Sequence, residues 1–402
     1  MPFLSDRFHD QNRRDGRTDL TGPSGPPGSP APANRTGAFD AAAVASAVGD
    51  RVVGQPGAVR ALRRALVVTQ AGFHDRERPL ASMLLVGPTG VGKTEMVRRL
   101  AAQLRGGPDD LCRVDMGQLA QEHYAASLAG SPPGYAGSRE SHSMFDRDTV
   151  EGTPYRPGIV LFDEIEKAHP VVLRALLGVL DRGVLTLANG ERTISFRNAF
   201  VFLTSNLGSR DLARRRSRPW RRFVDAAAAA PVLGPPATRL AAGLRGRERG
   251  TVDGAVRDFF DPEFLNRLDE VVYFTEIAPD VAEAIVALQL RDVAAVFRRR
   301  GAELDVGPGV VEYLVRKGFD PVLGARGLAR VVRASVVVPA AEALVRHRAG
   351  SVAGPGGSGS VAGPGGGAAA NGDSGGLWVR VDVVDGAVAV AASEGPGPSV
   401  PA

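Results

Sequence analysis

A glycine-rich turn between an apolar run and a helical pattern constrains the fold of this chain more than any other feature. The run Met83-Leu84-Leu85-Val86 indicates a buried strand, and Met96, Val97 and Leu100 lie on one face of the helix that follows. The turn between them, GPTGVGKT, has the spacing G-x-x-x-x-G-K-[ST]. A strand, such a turn and a helix in this order are typical of a parallel sheet, so we expect an α/β fold.

The chemistry of the turn predicts a phosphate site. Successive backbone N–H groups and the positive end of the helix converge on one point, which favours an anion. Lys93 would reach the β- and γ-phosphates of a nucleotide, and the Thr94 hydroxyl would ligate Mg²⁺. A glycine-rich turn with a chance lysine is the alternative, and the strand–helix context disfavours it. The predicted phosphate loop comprises Gly87, Pro88, Thr89, Gly90, Val91, Gly92, Lys93 and Thr94.

Composition limits the function classes. The 402 residues suffice for two domains, and no apolar stretch approaches the roughly 20 residues of a membrane span. The single cysteine, Cys112, excludes an intramolecular disulfide and favours a reducing compartment, so we expect a cytoplasmic protein. The net charge of +5 and seven arginines between Arg210 and Arg222 invite a nucleic-acid interpretation. A solvated arginine-rich loop is the interpretation that we favour.

Composition also divides the chain into segments. Residues 1–38 are polar and rich in Pro and Gly, which predicts a disordered tail. Alternating apolar runs and helical patterns predict a large α/β domain over 39–278, with an Ala/Arg/Gly/Pro-rich insertion at 210–255 that lacks a clear element. A mostly helical pattern predicts a smaller domain over 279–392. That domain contains low complexity at 350–376 and a hairpin around Asp385-Gly386, and a disordered tail follows at 393–402.

A second group of polar residues follows two predicted strands. Strands are expected at 82–86, 111–115, 159–163, 199–204 and 271–274. Asp163 and Glu164 end the third strand, and Asn206 follows the fourth. Ligands of open α/β sheets bind at the carboxyl ends of the strands. Asp163 would hold Mg²⁺ through water, Glu164 would polarise an attacking water, and Asn206 would contact the γ-phosphate.

Five segments together resemble the AAA+ module of the Clp unfoldase and disaggregase chaperones, in particular the second ATPase ring of the two-ring members. The resemblance covers about residues 50–208 and 258–348. It implies a parallel-sheet ATPase domain followed by a smaller helical α+β lid domain, with ATP and Mg²⁺ as cofactors. The segments are GPTGVGKT, LFDEIEKAHP, FRNAFVFLTSNLGS, DPEFLNRLDEVVYF and GFDPVLGARGLARVV.

The resemblance assigns further catalytic roles. Asn206 matches sensor 1, Arg267 matches the arginine finger that acts on a neighbouring subunit's nucleotide, and Arg326 matches sensor 2. Without the resemblance, Arg267 would be a surface partner of Asp269 or Glu270, and Arg326 an ordinary residue at a helix N-terminus. Because the finger acts in trans, the resemblance implies a homo-oligomeric ring, usually of six subunits.

The resemblance also implies how adenine and a protein substrate are bound. Val52 and Val53 match the segment that packs on adenine, and Ile285 would close the other side of the base. Gly134, Tyr135, Ala136 and Gly137 match the pore loop that grips a substrate chain. The segment after Gly137 departs from the family pattern, and 210–255 carries no evident tripeptide for docking on a chambered protease.

We therefore expect an ATP-dependent unfoldase-type ATPase that acts on protein substrates, with a Clp-type role as the ATP-binding subunit of a chambered protease as one form of it. We expect no membrane association and no role for nucleic acid. Two alternatives stay open: a nucleic-acid-associated AAA+ ATPase, and a regulatory subunit that binds ATP and hydrolyses it weakly.

Overall fold

The computed structural model describes residues 39–121, 145–186, 193–209, 250–320, 324–352 and 377–395. Within these ranges the chain forms ten strands and eleven α-helices. The strands are β1 (Ala81–Val86), β2 (Cys112–Asp115), β3 (Gly158–Asp163), β4 (Val184–Thr186), β5 (Thr193–Ser195), β6 (Ala199–Ser205), β7 (Glu270–Tyr273), β8 (Ala302–Val306), β9 (Leu377–Val384) and β10 (Ala387–Glu394).

Shorter turns of 3₁₀- and π-helix accompany the α-helices. The 3₁₀ turns cover Met116–Leu119 and Ile165–Lys167, and a π-helical turn covers Arg333–Val337. The α-helices are α1 (Ala41–Gly49), α2 (Pro56–Gln70), α3 (Lys93–Leu104), α4 (Arg147–Glu151), α5 (Pro170–Arg182), α6 (250–259), α7 (Pro262–Arg267), α8 (Pro279–Arg299), α9 (Val310–Gly318), α10 (Ala325–Val332) and α11 (Val338–Val352).

The central sheet is parallel throughout, with the strand order β2-β3-β6-β1-β7. Its three central strands, β3, β6 and β1, are buried on both faces, as their continuous apolar runs in a parallel sheet predict. Side chains alternate between the two faces, so Met83 and Leu85 enter one core while Leu84 and Val86 enter the other. This arrangement brings the carboxyl ends of β1, β3 and β6 together at one edge.

Helices cover both faces of this sheet. Helices α1, α2 and α3 contribute Val44, Leu62 and Met96 to the core on one face. Helices α5, α6 and α7 contribute Leu176, Val256 and Phe264 to the core on the other. Capping residues set several helix starts: the Asp40 side chain accepts from two amides of α1, and proline occupies the first turn of α2 and α5.

Helices α8–α11 and strands β8–β10 form a separate, third core, and we call these elements the small domain. Its sheet has the order β10-β9-β8, with β8 parallel to β9 and β10 antiparallel to it. Asp385 and Gly386 both have positive φ, at 50° and 72°, as a tight two-residue hairpin requires. The predicted hairpin is confirmed.

Most predicted elements of the fold are present. Each of the five strands predicted for the large sheet lies within one residue of its expected bounds, and Cys112 is buried in β2. Strand β8 was not predicted. No helix in the described ranges combines the length and the apolar character of a membrane span.

Two predicted boundaries require correction. Residues 250–255, placed in an insertion without a clear element, belong to helix α6, because Val252 and Val256 are apolar at helical spacing and bury against the central sheet. Strand β10 runs to Glu394, two residues into the predicted C-terminal tail. The predicted tail at 1–38, residues 210–249 and most of 350–376 lie outside the described residues.

Candidate active site

The predicted phosphate loop joins the carboxyl end of β1 to α3. Gly92 has a φ of 105° immediately before the first helical residue, a conformation that L side chains rarely adopt. At Gly87 a side chain would also be blocked, because a Cβ there would lie 2.6 Å from the Phe274 carbonyl oxygen. Glycine at these two positions therefore keeps the backbone close to the end of β7 and turns it into the helix.

Lys93 is buried at the start of α3 with its ammonium group held by oxygen atoms. Its Nζ donates to the carbonyl oxygens of Gly87 at 2.6 Å and Pro88 at 2.7 Å, and to Asn206 Oδ1 at 2.9 Å. Burial lowers the pKa of Lys93 to about 8, and the nearby carboxylates of Glu166, Asp163 and Glu164 offset part of that effect.

Thr204 on β6 fixes the two acids that end β3. Its hydroxyl donates to Asp163 Oδ1 and accepts from the Glu164 backbone N–H at 3.0 Å. The other carboxylate oxygen of Asp163 accepts from Arg113, whose Nε lies at 3.1 Å. Neither Thr204 nor Arg113 was among the predicted site residues. Their polar side chains, on the strands that flank β3, are the sequence feature that could have indicated them.

Glu164 adopts a left-handed backbone conformation, with φ at 58° and ψ at 51°. A non-glycine residue there costs about 1 kcal/mol or more, and such residues are concentrated at functional sites. The turn aims the carboxylate at Lys167, which pairs with Oε2, and at Asn206, whose Nδ2 lies 3.5 Å from Oε1.

Asn206 connects the lysine to the acids. Its Oδ1 accepts from Lys93, while its backbone N–H and Nδ2 donate to Glu166 Oε1 at 3.1 and 3.2 Å. The amide is thereby oriented with its oxygen toward the phosphate loop. Glu166 was not among the predicted site residues. It follows Glu164 by two positions, on the same turn after β3.

The small domain reaches the phosphate loop through the start of α10. The backbone N–H of Ala325 donates to the Gly90 carbonyl oxygen at 3.0 Å, and a Cβ at Gly324 would lie 2.8 Å from that oxygen. Arg326 is the next residue, and its charge contributes to the low pKa of Lys93. The structure therefore brings the predicted sensor 2 arginine to the same site as the lysine.

The predicted adenine segment lies between the phosphate loop and the small domain. Val52 is buried, and a Cβ at Gly92 would lie 3.6 Å from its Cγ1. Val53 is half-buried, and at Gly54 a Cβ would lie 2.6 Å from Val281 of α8. Ile285, one helical turn later on α8, is half-buried against the core of the small domain.

A hydrogen-bonded link between Gln55 and Thr275 follows this segment. The buried Gln55 side chain donates to the Thr275 carbonyl oxygen at 2.8 Å and accepts from the Thr275 backbone N–H at 3.0 Å. Thr275 lies between β7 and α8, so Gln55 ties the start of the large domain to the connection with the small domain.

Arg267 does not join the phosphate-loop cluster of its own chain. It ends α7, is 43% exposed and forms an ion pair with Asp181 of α5. The partners that the sequence offered are engaged elsewhere: Asp269 accepts from Ser82, and Glu270 pairs with Arg64. Arg267 therefore lies at the surface, outside the contact network of the phosphate loop.

The predicted pore loop, Gly134, Tyr135, Ala136 and Gly137, lies outside the described residues. The chain is described again from Phe145, which is buried with its ring edge-on to Phe196 at 6.0 Å.

Two family models match consecutive parts of the chain. Residues 78–271 match the AAA domain (Cdc48 subfamily), and residues 277–353 match the C-terminal, D2-small domain of ClpB protein. The first match spans the central sheet from β1 to β7, and the second spans helices α8 to α11. The first match ends within β7 and the second begins just before α8, so the two models divide where the central sheet ends and the small domain begins.

Curated relatives share extensive sequence with the chain. An ATP-dependent protease ATP-binding subunit-like protein of Rhodococcus erythropolis is 50% identical over 345 residues, 86% of this chain and 92% of the relative. A protein of Pseudomonas aeruginosa with the same description, called AmiB, is 46% identical over 77% of this chain and 81% of its own length. The chaperone protein ClpB of Meiothermus ruber is 39% identical over 75% of this chain, which spans only 32% of that larger protein.

Solved structures of Hsp104 are also similar. The Saccharomyces cerevisiae Hsp104:casein complex in its extended conformation matches with a TM-score of 0.62 at 28% identity. A closed Hsp104 complex with ATPγS and labelled casein matches with a TM-score of 0.59 at the same identity. Both alignments cover 76% of this chain and 48% of the Hsp104 chain.

Proposed function

The chain belongs to the ClpB- and Hsp104-like AAA+ ATPases, and from this premise we propose that it hydrolyses ATP at the subunit interfaces of a ring and remodels protein substrates. The contact network that joins Lys93, Asn206 and Glu164 at the carboxyl edge of the sheet is the observation that carries the proposal. It combines a buried phosphate-binding cation with a partly buried polar sensor and a partly buried carboxylate in one site.

Each residue of the network has a proposed task in hydrolysis. The backbone N–H groups of the phosphate loop and the Lys93 ammonium bind the phosphates. Glu164 polarises the attacking water, and Asn206 orients that water against the γ-phosphoryl group. Val52, Val53 and Ile285 would hold the adenine ring.

The donor set at the phosphate loop fits Mg²⁺. Thr94 and Asp163 supply hydroxyl and carboxylate oxygens, which are hard ligands, and Mg²⁺ commonly takes one or two protein oxygens together with phosphates and water. When bound, the ion would neutralise charge on the β- and γ-phosphates. Arg113 and Thr204 hold the Asp163 carboxylate in place for that contact.

Arginines from two places would complete the site. Arg326 reaches the phosphates from the small domain of the same chain, so closure of the small domain assembles the site. Arg267 is proposed to act on the nucleotide of the neighbouring subunit, where a cation stabilises charge that develops in the transition state. A ring, usually hexameric, follows from this arrangement.

The substrate is proposed to be polypeptide. The similar Hsp104 structures contain casein, and Tyr135 between glycines has the composition of a loop that grips an extended chain. The names of the Rhodococcus and Pseudomonas relatives raise a chambered protease as a further partner. We place the protein in the cytoplasm because its one cysteine suits a reducing compartment.

The test compares ATP hydrolysis by the full chain alone, with unfolded casein and with single-stranded DNA. We expect casein to stimulate hydrolysis and Tyr135→Ala to abolish the stimulation while basal hydrolysis stays. Glu164→Gln should bind ATP, remain assembled and lose turnover by about 10²-fold or more. Stimulation by DNA instead of casein, removed by salt and by neutralising Arg214 to Arg216, would assign the protein to nucleic acid. Rapid turnover by Glu164→Gln would contradict the catalytic assignment.

A further inference from the structure

Arg267 is held by residues that the proposed catalytic site does not otherwise use. Its Nη1 pairs with Asp181, which lies in the last turn of α5. The Arg267 carbonyl oxygen accepts from Arg78 Nη2. The Arg78 guanidinium also donates through Nε to the Leu180 carbonyl oxygen at 3.0 Å. Arg78 therefore joins the ends of α5 and α7, and Asp181 holds the arginine side chain above that junction.

The electrostatics favour this arrangement. The carbonyl ends of α5 and α7 carry partial negative charge, and the Arg78 guanidinium lies where it neutralises both. A carboxylate at a helix C-terminus is unfavourable by itself, so Asp181 gains from a cation beside it. Arg267 is that cation.

The pair contributes little to the stability of the fold. The side chains of Arg267 and Asp181 are 43% and 42% exposed, and ion pairs of that exposure are weak because water screens them. A more informative consequence is conformational: a long, flexible arginine has one end of its guanidinium fixed. Since a guanidinium has five N–H donors, pairing at Nη1 leaves others available to a second acceptor.

We propose that Asp181, which pairs with the Arg267 guanidinium, and Arg78, which holds the main chain of Arg267, are positioning residues that keep this arginine ready for the nucleotide of the neighbouring subunit. The proposal rests on the function proposed above, in which Arg267 acts in trans. A group that must meet a phosphate on another chain benefits from orientation before contact, because misplacement by about 1 Å costs large factors in rate. Asp181 acts through Arg267 and does not touch the nucleotide.

The first test measures hydrolysis and ATP affinity for Asp181→Asn. We expect kcat to fall about tenfold, less than in Arg267→Ala, with an unchanged Kd for ATP, because the subunit's own pocket is intact. Asp181→Glu should recover most of the rate. Asp109→Asn removes an exposed carboxylate, 81% accessible and paired with Arg98, and serves as the matched control with wild-type kcat. A wild-type kcat for Asp181→Asn would overturn the proposal, and so would an increased one.

The second test uses mixed rings. Asp181→Asn subunits combine an intact nucleotide pocket with a misplaced Arg267. Glu164→Gln subunits combine an inactive pocket with a correctly held Arg267. Mixing them should give more hydrolysis than the sum of the two alone, and Arg267→Ala mixed with Glu164→Gln is the positive control. If only the positive control recovers, Asp181 acts within its own subunit and the positioning proposal is wrong, while the proposed function stands. If neither mixture recovers, the trans assignment of Arg267 fails and the proposed ring mechanism fails with it.

Discussion

The guanidinium of Arg51 and the carboxylate of Asp292 form a two-armed ion pair across 241 residues of sequence. Arg51 immediately precedes the predicted adenine segment, and Asp292 lies on α8 of the small domain. The pair raises the pKa of Arg51, first through the hydrogen bonds to Asp292. It therefore ties one side of the expected base site to the helix that carries Ile285.

Reversing one charge of this pair should weaken ATP binding. We expect Arg51→Asp to raise the Kd for ATP about fivefold, since partly exposed ion pairs contribute up to about 1 kcal/mol. The double reversal Arg51→Asp with Asp292→Arg should restore the affinity, as measured with a fluorescent ATP analogue. Asp109→Arg, which breaks an ion pair within the large domain, is the control. If the double reversal fails to restore ATP binding, the Arg51–Asp292 ion pair does not stabilise the ATP site.

The lowered pKa of Lys93 predicts proton uptake on ATP binding. A lysine with a pKa of about 8 is partly neutral above that pH, and a bound triphosphate restores its charge by favouring the protonated form. The Kd for ATP should therefore rise between pH 8 and pH 9.5, where the phosphate groups themselves are fully ionised. Titration calorimetry in two buffers of different ionisation enthalpy measures the uptake.

The same shift affects stability in a defined direction. Because folding lowers the pKa of Lys93, the unfolded chain binds more protons between pH 8 and pH 10.5, so this group makes the folded state more stable as pH rises through that window.

The control for proton uptake on ATP binding is Lys93→Arg, which stays charged and should take up no proton. Equal uptake by that variant would assign the proton to another group.

Replacing Glu166 should slow ATP hydrolysis without weakening ATP binding. Its Oε1 accepts both Asn206 donors, and its Oε2 is buried with no hydrogen-bond partner among the described residues. Glu166→Ala frees the amide to flip, so we expect kcat to fall about tenfold to a hundredfold with the ATP Kd changed less than threefold. Glu263→Ala removes an exposed acid and is the control. A Kd that rises as much as kcat falls would mean that Glu166 supports binding instead.

Truncating Phe260 should destabilise the large domain. Its ring is fully buried and stacks on Phe264 with centroids 5.1 Å apart. Phe260→Ala leaves a cavity and should cost about 3–5 kcal/mol of unfolding free energy. Phe73→Ala, at a residue 85% exposed, should change it by less than about 0.5 kcal/mol. Thermal unfolding by calorimetry compares the two, and similar melting temperatures would contradict the prediction.

The sequence predicted the central sheet well because its signals are local. Continuous apolar runs marked β1, β3 and β6, and the residues after them marked the site edge. Strand β8 escaped prediction because Ala302–Val306 mixes acids with apolar residues and pairs with β9, more than 70 residues later. Helix α6 escaped because it directly follows an Arg/Ala-rich stretch.

The site was predictable in its motifs and not in its contacts. Short motifs that follow predicted strands mark four of the site residues: Lys93, Asp163, Glu164 and Asn206. No such motif marks Asp181, because only the packing of α5 against α7 brings it to Arg267. Residues that act through others leave no pattern of their own in one sequence.

The hydrogen bond from the Ala325 backbone to the Gly90 carbonyl oxygen has a consequence for the substitutions that this chain tolerates. Because both atoms belong to the main chain, no substitution short of proline at 325 deletes either partner. The link between phosphate loop and lid is thus inherited with the backbone path itself. Side chains elsewhere are free to change around it, while the phosphate loop stays bonded to the first turn of α10.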